Sequence, residues 1–358
     1  MTVYFIEIIL LFCFYTIIGT NKINTTSVNN RIVFKQGRKT FILLSFFMLT
    51  AVVAFRDYSV GNDTLAYSLN FIKISQFDNL LDLFDNVDNE RGYLISQWII
   101  SKVGLEFRFV LILSSALYMG VVSRLIYKYS ANPLMSYLIF MALGLYLFSF
   151  TALRQSIAMA ICMIAYLYSI EYKCFKFVLL VLLASTFHIS ALIFLPSYFI
   201  GKLKFNFKNI LFMMALTALI YLFSNEIFEL LNLYSDKNYQ EEETGGAIYS
   251  SLIYISSICG FLFIFNKLKN NEVAKHHYYM VISSMILIPI AMYNPAAFRI
   301  CYYYSIFIIL YIPYLIEKMF NSRTMAVINW LIYSIMIIVF LSGIASNIYY
   351  SNYLFMQQ

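Results

Sequence analysis

FVLLVLLASTFHISALIFLPSYFI, residues 177–200, is apolar and long enough to cross a bilayer, yet basic residues stand at both of its ends. Lys173 and Lys176 precede it, and Lys202, Lys204 and Lys208 follow it. Connectors rich in Lys and Arg stay on the cytoplasmic side, so a single crossing would violate that rule at one flank. Two half-helices of about a dozen residues, each ~18 Å long, satisfy both flanks if they descend and return with a turn near His188. A re-entrant pair is therefore predicted, and irregular backbone at membrane depth implies a lined cavity. The alternative is one crossing that inverts every later span and places Glu241, Glu242 and Glu243 inside.

The rest of the chain supports a membrane setting. Its 358 residues are 61% hydrophobic, 19% aromatic and 12% charged, about half the charge of a soluble domain. The class predicted is all-α: one polytopic transmembrane domain over residues 1–358. The first segment lacks a basic leader and contains Glu7, so it is expected to remain as a helix rather than a cleaved signal. Five scattered cysteines form neither a disulfide framework nor a zinc pattern.

The net charge of +7 is explained by topology. Connectors at 21–40 (Lys22, Arg31, Lys35, Arg38, Lys39), 124–128, 171–176, 202–208, 266–277 and 317–323 hold 17 of the 25 basic residues. Residues 56–92 and 225–246 are acidic by contrast, and are predicted as external loops. About ten crossings follow, at 3–19, 41–55, 107–123, 133–150, 152–170, 209–224, 247–265, 278–293, 300–316 and 324–344, with both termini outside. The apolar piece 93–103 is too short to cross. In the first external loop, Phe77, Leu80, Leu81 and Phe84 have helical spacing, with Asp78, Asp82 and Asp85 off that face, which predicts an amphipathic helix on the membrane surface.

Charges at the external edge need a reason. Arg154 opens a helix, where guanidinium burial is expensive. Arg56 leaves the second span, and Arg299 follows Pro289 and Pro295. Guanidinium forks match phosphate and stay charged at any relevant pH. Three arginines at one membrane face suggest an anionic ligand, most naturally a phosphate or diphosphate; snorkelling to headgroups is the plain alternative for Arg154. Asp63 follows the Gly61-Asn62 turn, and Glu90 precedes an apolar stretch. His188 is either a satisfied core histidine or a functional group at a half-helix tip, while His276 and His277, in a basic connector, are expected to be solvated. No metal cluster, P-loop, dinucleotide fingerprint or serine elbow is present, and the basic residues lie where topology puts them, so no nucleic-acid surface is predicted.

These residues resemble the EpsG family of polysaccharide polymerases, Wzy-type enzymes of bacterial surface glycan assembly. The matching positions are Phe55-Arg56, Gly61-Asn62-Asp63, Tyr67, Glu90-x-Gly92-Tyr93, Arg154-Gln155 with Ala158, Phe187-His188-x-Ser190-Ala191, and Arg299 with Tyr302 before Ile312-Pro313. The resemblance implies a GT-C-like, metal-independent glycosyltransferase of the bacterial cytoplasmic membrane, without a cofactor, its site facing outward. Donor and acceptor would be undecaprenyl diphosphate-linked oligosaccharides joined into a capsule, exopolysaccharide or O-antigen; a chain-length regulator is a partner it leaves open. Arg56, Arg154 and Arg299, with Arg91 and Arg108 assisting, would hold diphosphate. The base would be Asp63, Glu90 or His188, with His188 favoured because a carboxylate beside a cationic cluster is a weaker base. Asn62, Tyr67, Tyr93, Gln155 and Tyr302 would position substrate. A lipid-linked glycan ligase, a membrane acyltransferase and a flippase are the rival expectations.

Overall fold

The computed structural model describes residues 1–18, 28–233, 246–293 and 298–347, and every regular element among them is helical. Lys22, positions 234–245 of the second acidic loop and Pro295 lie outside the described residues, as do the side chains of Arg31 and Lys35. In chain order the helices are α1 (Thr2–Ile18), α2 (Val28–Ala54), α3 (Thr64–Ser75), α4 (Leu80–Asn86), α5 (Arg91–Lys102), α6 (Phe107–Tyr129), α7 (Pro133–Ala142), α8 (Leu145–Thr151), α9 (Leu153–Ile170) and α10 (Cys174–Ser185). They continue as α11 (Ser197–Ile200), α12 (Phe207–Leu222), α13 (Ser224–Leu233), α14 (Ala247–Phe263), α15 (Phe265–Lys269), α16 (Glu272–Ala291), α17 (Tyr302–Ser305), α18 (Ile308–Met319) and α19 (Ser322–Ala345).

The chain is a polytopic membrane protein. Four helices have the length and apolarity to span a bilayer: Gln36–Ala54 of α2, α6, α9 and α19. Three bent pairs raise the number to seven: α7 with α8 at 52°, α12 with α13 at 70°, and Arg299–Ser305 with α18 at 46°. The other three of the ten expected crossings fall on α1, α14 and α16.

Buried tyrosines tie the bundle together. A bilayer supplies little hydrophobic drive between helices, so close packing and interhelical hydrogen bonds must hold them. Tyr118 donates to the Leu145 carbonyl (3.2 Å), Tyr137 to Ser123 Oγ (2.8 Å), Tyr278 to the Ser257 carbonyl (3.1 Å) and Tyr311 to the Ser256 carbonyl (3.1 Å).

Residues 174–200 form a hairpin that returns to the end from which it set out. α10 packs along α9, the chain turns at Thr186–His188, and a 3-10 turn (Ile189–Phe194) leads into α11. Phe177 stacks near Tyr198 at 5.3 Å, and the Tyr198 hydroxyl donates to the Tyr172 carbonyl at 3.1 Å, which closes the feet of the hairpin. His188 stands at the tip.

Two local expectations are corrected. The surface helix starts only at Leu80, where the Asn79 side chain caps it by accepting from the Asp82 amide; Phe77 precedes it, Leu83 is the buried residue, and Leu81 is exposed. His276 and His277 are buried rather than solvated: His277 lies between the rings of Tyr129 and Tyr166, and His276 Nδ1 is 2.7 Å from the Glu272 carbonyl. The basic connector coils into the first turns of α16, and packing covers both rings.

Candidate active site

The site is assembled by α5 docking on the hairpin tip. The Gly92 and Tyr93 amides donate to the Thr186 carbonyl at 2.9 and 3.3 Å. A Cβ at Gly92 would stand 2.2 Å from Thr186 Oγ1, so only glycine allows this approach. Docking brings Glu90, the residue capping α5, beside His188, 98 positions later.

Glu90 is gripped from two sides. One carboxylate oxygen lies 2.8 Å from His188 Nδ1, and the other accepts from Arg154 at 2.5 Å. Asn89 Oδ1 accepts from the same arginine nitrogen at 2.6 Å. Arg154 lies over the Tyr93 ring, 5.8 Å from its centroid. Burial favours a neutral Glu90 carboxyl, but the His188 hydrogen bond and then the Arg154 charge outweigh it, holding the pKa down at about 2. Glu90 is therefore an acceptor-only carboxylate near neutral pH. It follows that His188 Nδ1 carries the proton, and that Nε2 of a neutral ring presents a lone pair.

The second half of the site centres on Arg299. Its guanidinium is 38% exposed and 4.0 Å from Asp63, a loose pair compared with Arg154–Glu90. Gln155 Nε2 donates to the Arg299 carbonyl at 3.0 Å, which ties this segment to the residue after Arg154. Tyr67 lies between the halves, half-buried, within the electrostatic reach of Arg154, Asp63 and Arg299. A cavity of about 690 Å³ adjoins Arg299 and is also lined by Asn62 and Tyr302.

The expected residues thus separate into groups. Glu90, Arg154 and His188 are in direct contact; Asp63 and Arg299 face each other nearby. Arg56 stands apart from this cluster and is enclosed. It is 1% exposed, and its guanidinium donates to the carbonyls of Val53, Val60 (3.1 Å) and Phe150 (2.9 Å) and to Thr64 Oγ1 (3.3 Å). Gly61, at φ +96°, is needed there because a Cβ would press on the Phe150 carbonyl. Arg108 is likewise buried, donating to the carbonyls of Ala54 and Arg56. Arg91 lies over the Phe84 ring. Tyr93 and Gln155 are buried and support Arg154 and Arg299.

Asn89 and Thr186 were not anticipated; the signals were Asn89 adjoining Glu90 and Gly92 opening a helix. Among the described residues, no three His, Cys, Asp or Glu side chains gather as a metal site would require. A model of the EpsG family matches residues 39–357, nearly the whole sequence, and the chain belongs to that family. EpsG proteins are Wzy-like polysaccharide polymerases. No curated protein and no solved structure matches the chain.

Proposed function

From EpsG membership as the premise, we propose that this membrane protein joins polyprenyl diphosphate-linked oligosaccharide repeat units into a surface polysaccharide, at the outer face of the bacterial cytoplasmic membrane. The observation that supports it best is the Arg154–Glu90–His188 chain, which fixes an imidazole with its basic nitrogen available, beside the loosely paired cation Arg299.

In this mechanism the acceptor hydroxyl attacks the anomeric carbon of the donor sugar. Its proton passes to His188 Nε2 as the new C–O bond forms. The bond from the anomeric carbon to the diphosphate oxygen breaks, its electron pair stays on that oxygen, and polyprenyl diphosphate leaves. Glu90 holds the tautomer and stabilises the imidazolium, while Arg154 holds Glu90. Arg299 offsets the charge that builds on the leaving diphosphate. The proton then passes from His188 to water, which resets the site. Metal independence belongs to the same proposal.

The test is the profile of lipid-linked and surface glycans in the native host after deletion of the gene. Glycan stopping at one repeat unit, restored by wild type and not by Arg154→Ala, is expected. Long polymer retained on the lipid carrier would assign a ligase instead, and an unchanged ladder would remove the polymerase.

A further inference from the structure

The cavity beside Arg299 lies between the break joining α7 to α8, the start of α14, α17 and the last turns of α19. Glu90, Arg154 and His188 are not in its lining, so the reacting groups and the cavity are neighbours rather than one pocket. Its walls have two characters. Asn62 and Arg299 bring an amide and a guanidinium. Phe148, Tyr249, Phe298 and Tyr302 form a packed aromatic wall, with centroids 4.7 Å apart for Tyr249 and Phe298, 5.9 Å for Phe298 and Tyr302, and 5.1 Å for Phe148 and Tyr302.

A pyranose ring has the same two characters. Its C–H faces lie against aromatic rings, while its hydroxyls exchange hydrogen bonds with amides and guanidinium groups. An isoprenoid chain matches only the aromatic wall, and would cover Asn62 and Arg299 with hydrocarbon that returns no hydrogen bonds. The volume lies within the range of pockets that enclose most of a mid-sized ligand.

We propose that this cavity is the glycan subsite of the donor. It holds the sugars nearest the diphosphate, with Arg299 at the junction of sugar and phosphate, while the acceptor hydroxyl arrives from the His188 side. The inference rests on the polymerase proposal and adds to it a place and a partner chemistry.

Gly343 supplies the test. It belongs to the cavity lining on α19, and a Cβ built there meets nothing within 4 Å. A tryptophan at this position grows into empty space and fills the cavity without displacing Glu90 or His188. Val327, 71% exposed on the same helix and outside the lining, takes the control substitution Val327→Trp.

The full-length protein is purified in detergent and titrated calorimetrically with two probes. One is the oligosaccharide repeat unit released from the host's lipid carrier by mild acid; the other is undecaprenyl diphosphate without sugar. The oligosaccharide is expected to bind wild type and Val327→Trp alike and Gly343→Trp at least tenfold more weakly, while undecaprenyl diphosphate binds all three within about twofold. Retained undecaprenyl diphosphate binding also shows that Gly343→Trp is folded. Equal oligosaccharide binding by Gly343→Trp, or no binding by wild type, overturns the subsite. Loss of undecaprenyl diphosphate binding alone overturns it too and gives the cavity to the isoprenoid. In the deletion host, an unchanged glycan ladder removes the polymerase proposal itself. A ladder restored equally by wild type and Gly343→Trp removes only the glycan subsite.

Discussion

Arg56 and Arg154 share a side-chain type and a membrane protein, and differ in what their hydrogens meet. Arg56 is enclosed and donates to backbone carbonyls and a threonine, so its charge is absorbed in fastening the α2–α3 turn to α8. Arg154 is partly exposed and donates to Glu90 and Asn89, one helix away from a histidine. Carbonyl partners hold a fold together; a carboxylate partner makes a charge pair that can orient a base. Arg108 sides with Arg56, and Arg299 with Arg154.

The strongest way to break this contrast is Arg56→Ala. Removing the guanidinium takes away the donor that bridges the Val53, Val60 and Phe150 carbonyls in a buried turn, at about 1–3 kcal/mol for each acceptor left unsatisfied, so the variant is expected to fail to accumulate as monodisperse protein on size exclusion. Normal accumulation with lost activity would instead move Arg56 into the ligand site.

His188→Ala is expected to fold and insert but to lose about 10² to 10⁴ in polymerisation rate, the usual contribution of a positioned base. Full activity in that variant would discard His188 as the base. Arg154 and Arg299 are then separable by kinetics. Arg299→Ala should raise the lipid-diphosphate concentration needed by about tenfold, or ~1.4 kcal/mol, with partial rescue by Arg299→Lys. Arg154→Ala should lower kcat with little change in KM, because it acts through Glu90; the reverse pattern would exchange their roles.

Acid sharpens the same comparison. Glu90 titrates below its ordinary value of 4.5, at about 2, so its stabilising contribution is full above pH 4.5 and is lost as the pH falls towards 2. The Tm difference between wild type and Glu90→Gln should be fully present at about pH 5 and shrink as the pH falls from there towards 2. A difference already shrinking near pH 7 would contradict the paired carboxylate. The smallest effect belongs to Asp63→Asn: at 4.0 Å and 43% exposed, the pair with Arg299 contributes under ~1 kcal/mol, measurable as a Tm shift of a few degrees at most.

Much of this was legible before the fold. The hairpin turn near His188 followed from basic residues on both flanks of one apolar run, and seven of the ten expected spans coincide with helices or bent pairs long and apolar enough to cross, while the other three fall on α1, α14 and α16. Basic composition around His276 and His277 suggests a solvated connector, whereas those residues begin a packed helix that buries both rings. Helix α3 is not marked by a buried apolar face in the sequence, because its apolar residues Leu65, Leu69 and Ile72 are exposed. Arg56 could not be told from Arg154, since both are arginines at the end of an apolar run.

The sequence by itself determined the membrane class, the helical architecture and the residues from which a site is drawn, because hydropathy and charge are properties of short segments. Only the tertiary structure decided which of them meet. Glu90, Arg154 and His188 are separated by up to 98 positions, and their contact depends on Gly92 letting one helix end reach the Thr186 carbonyl. That is a fact of close approach between distant segments, which segment composition does not encode.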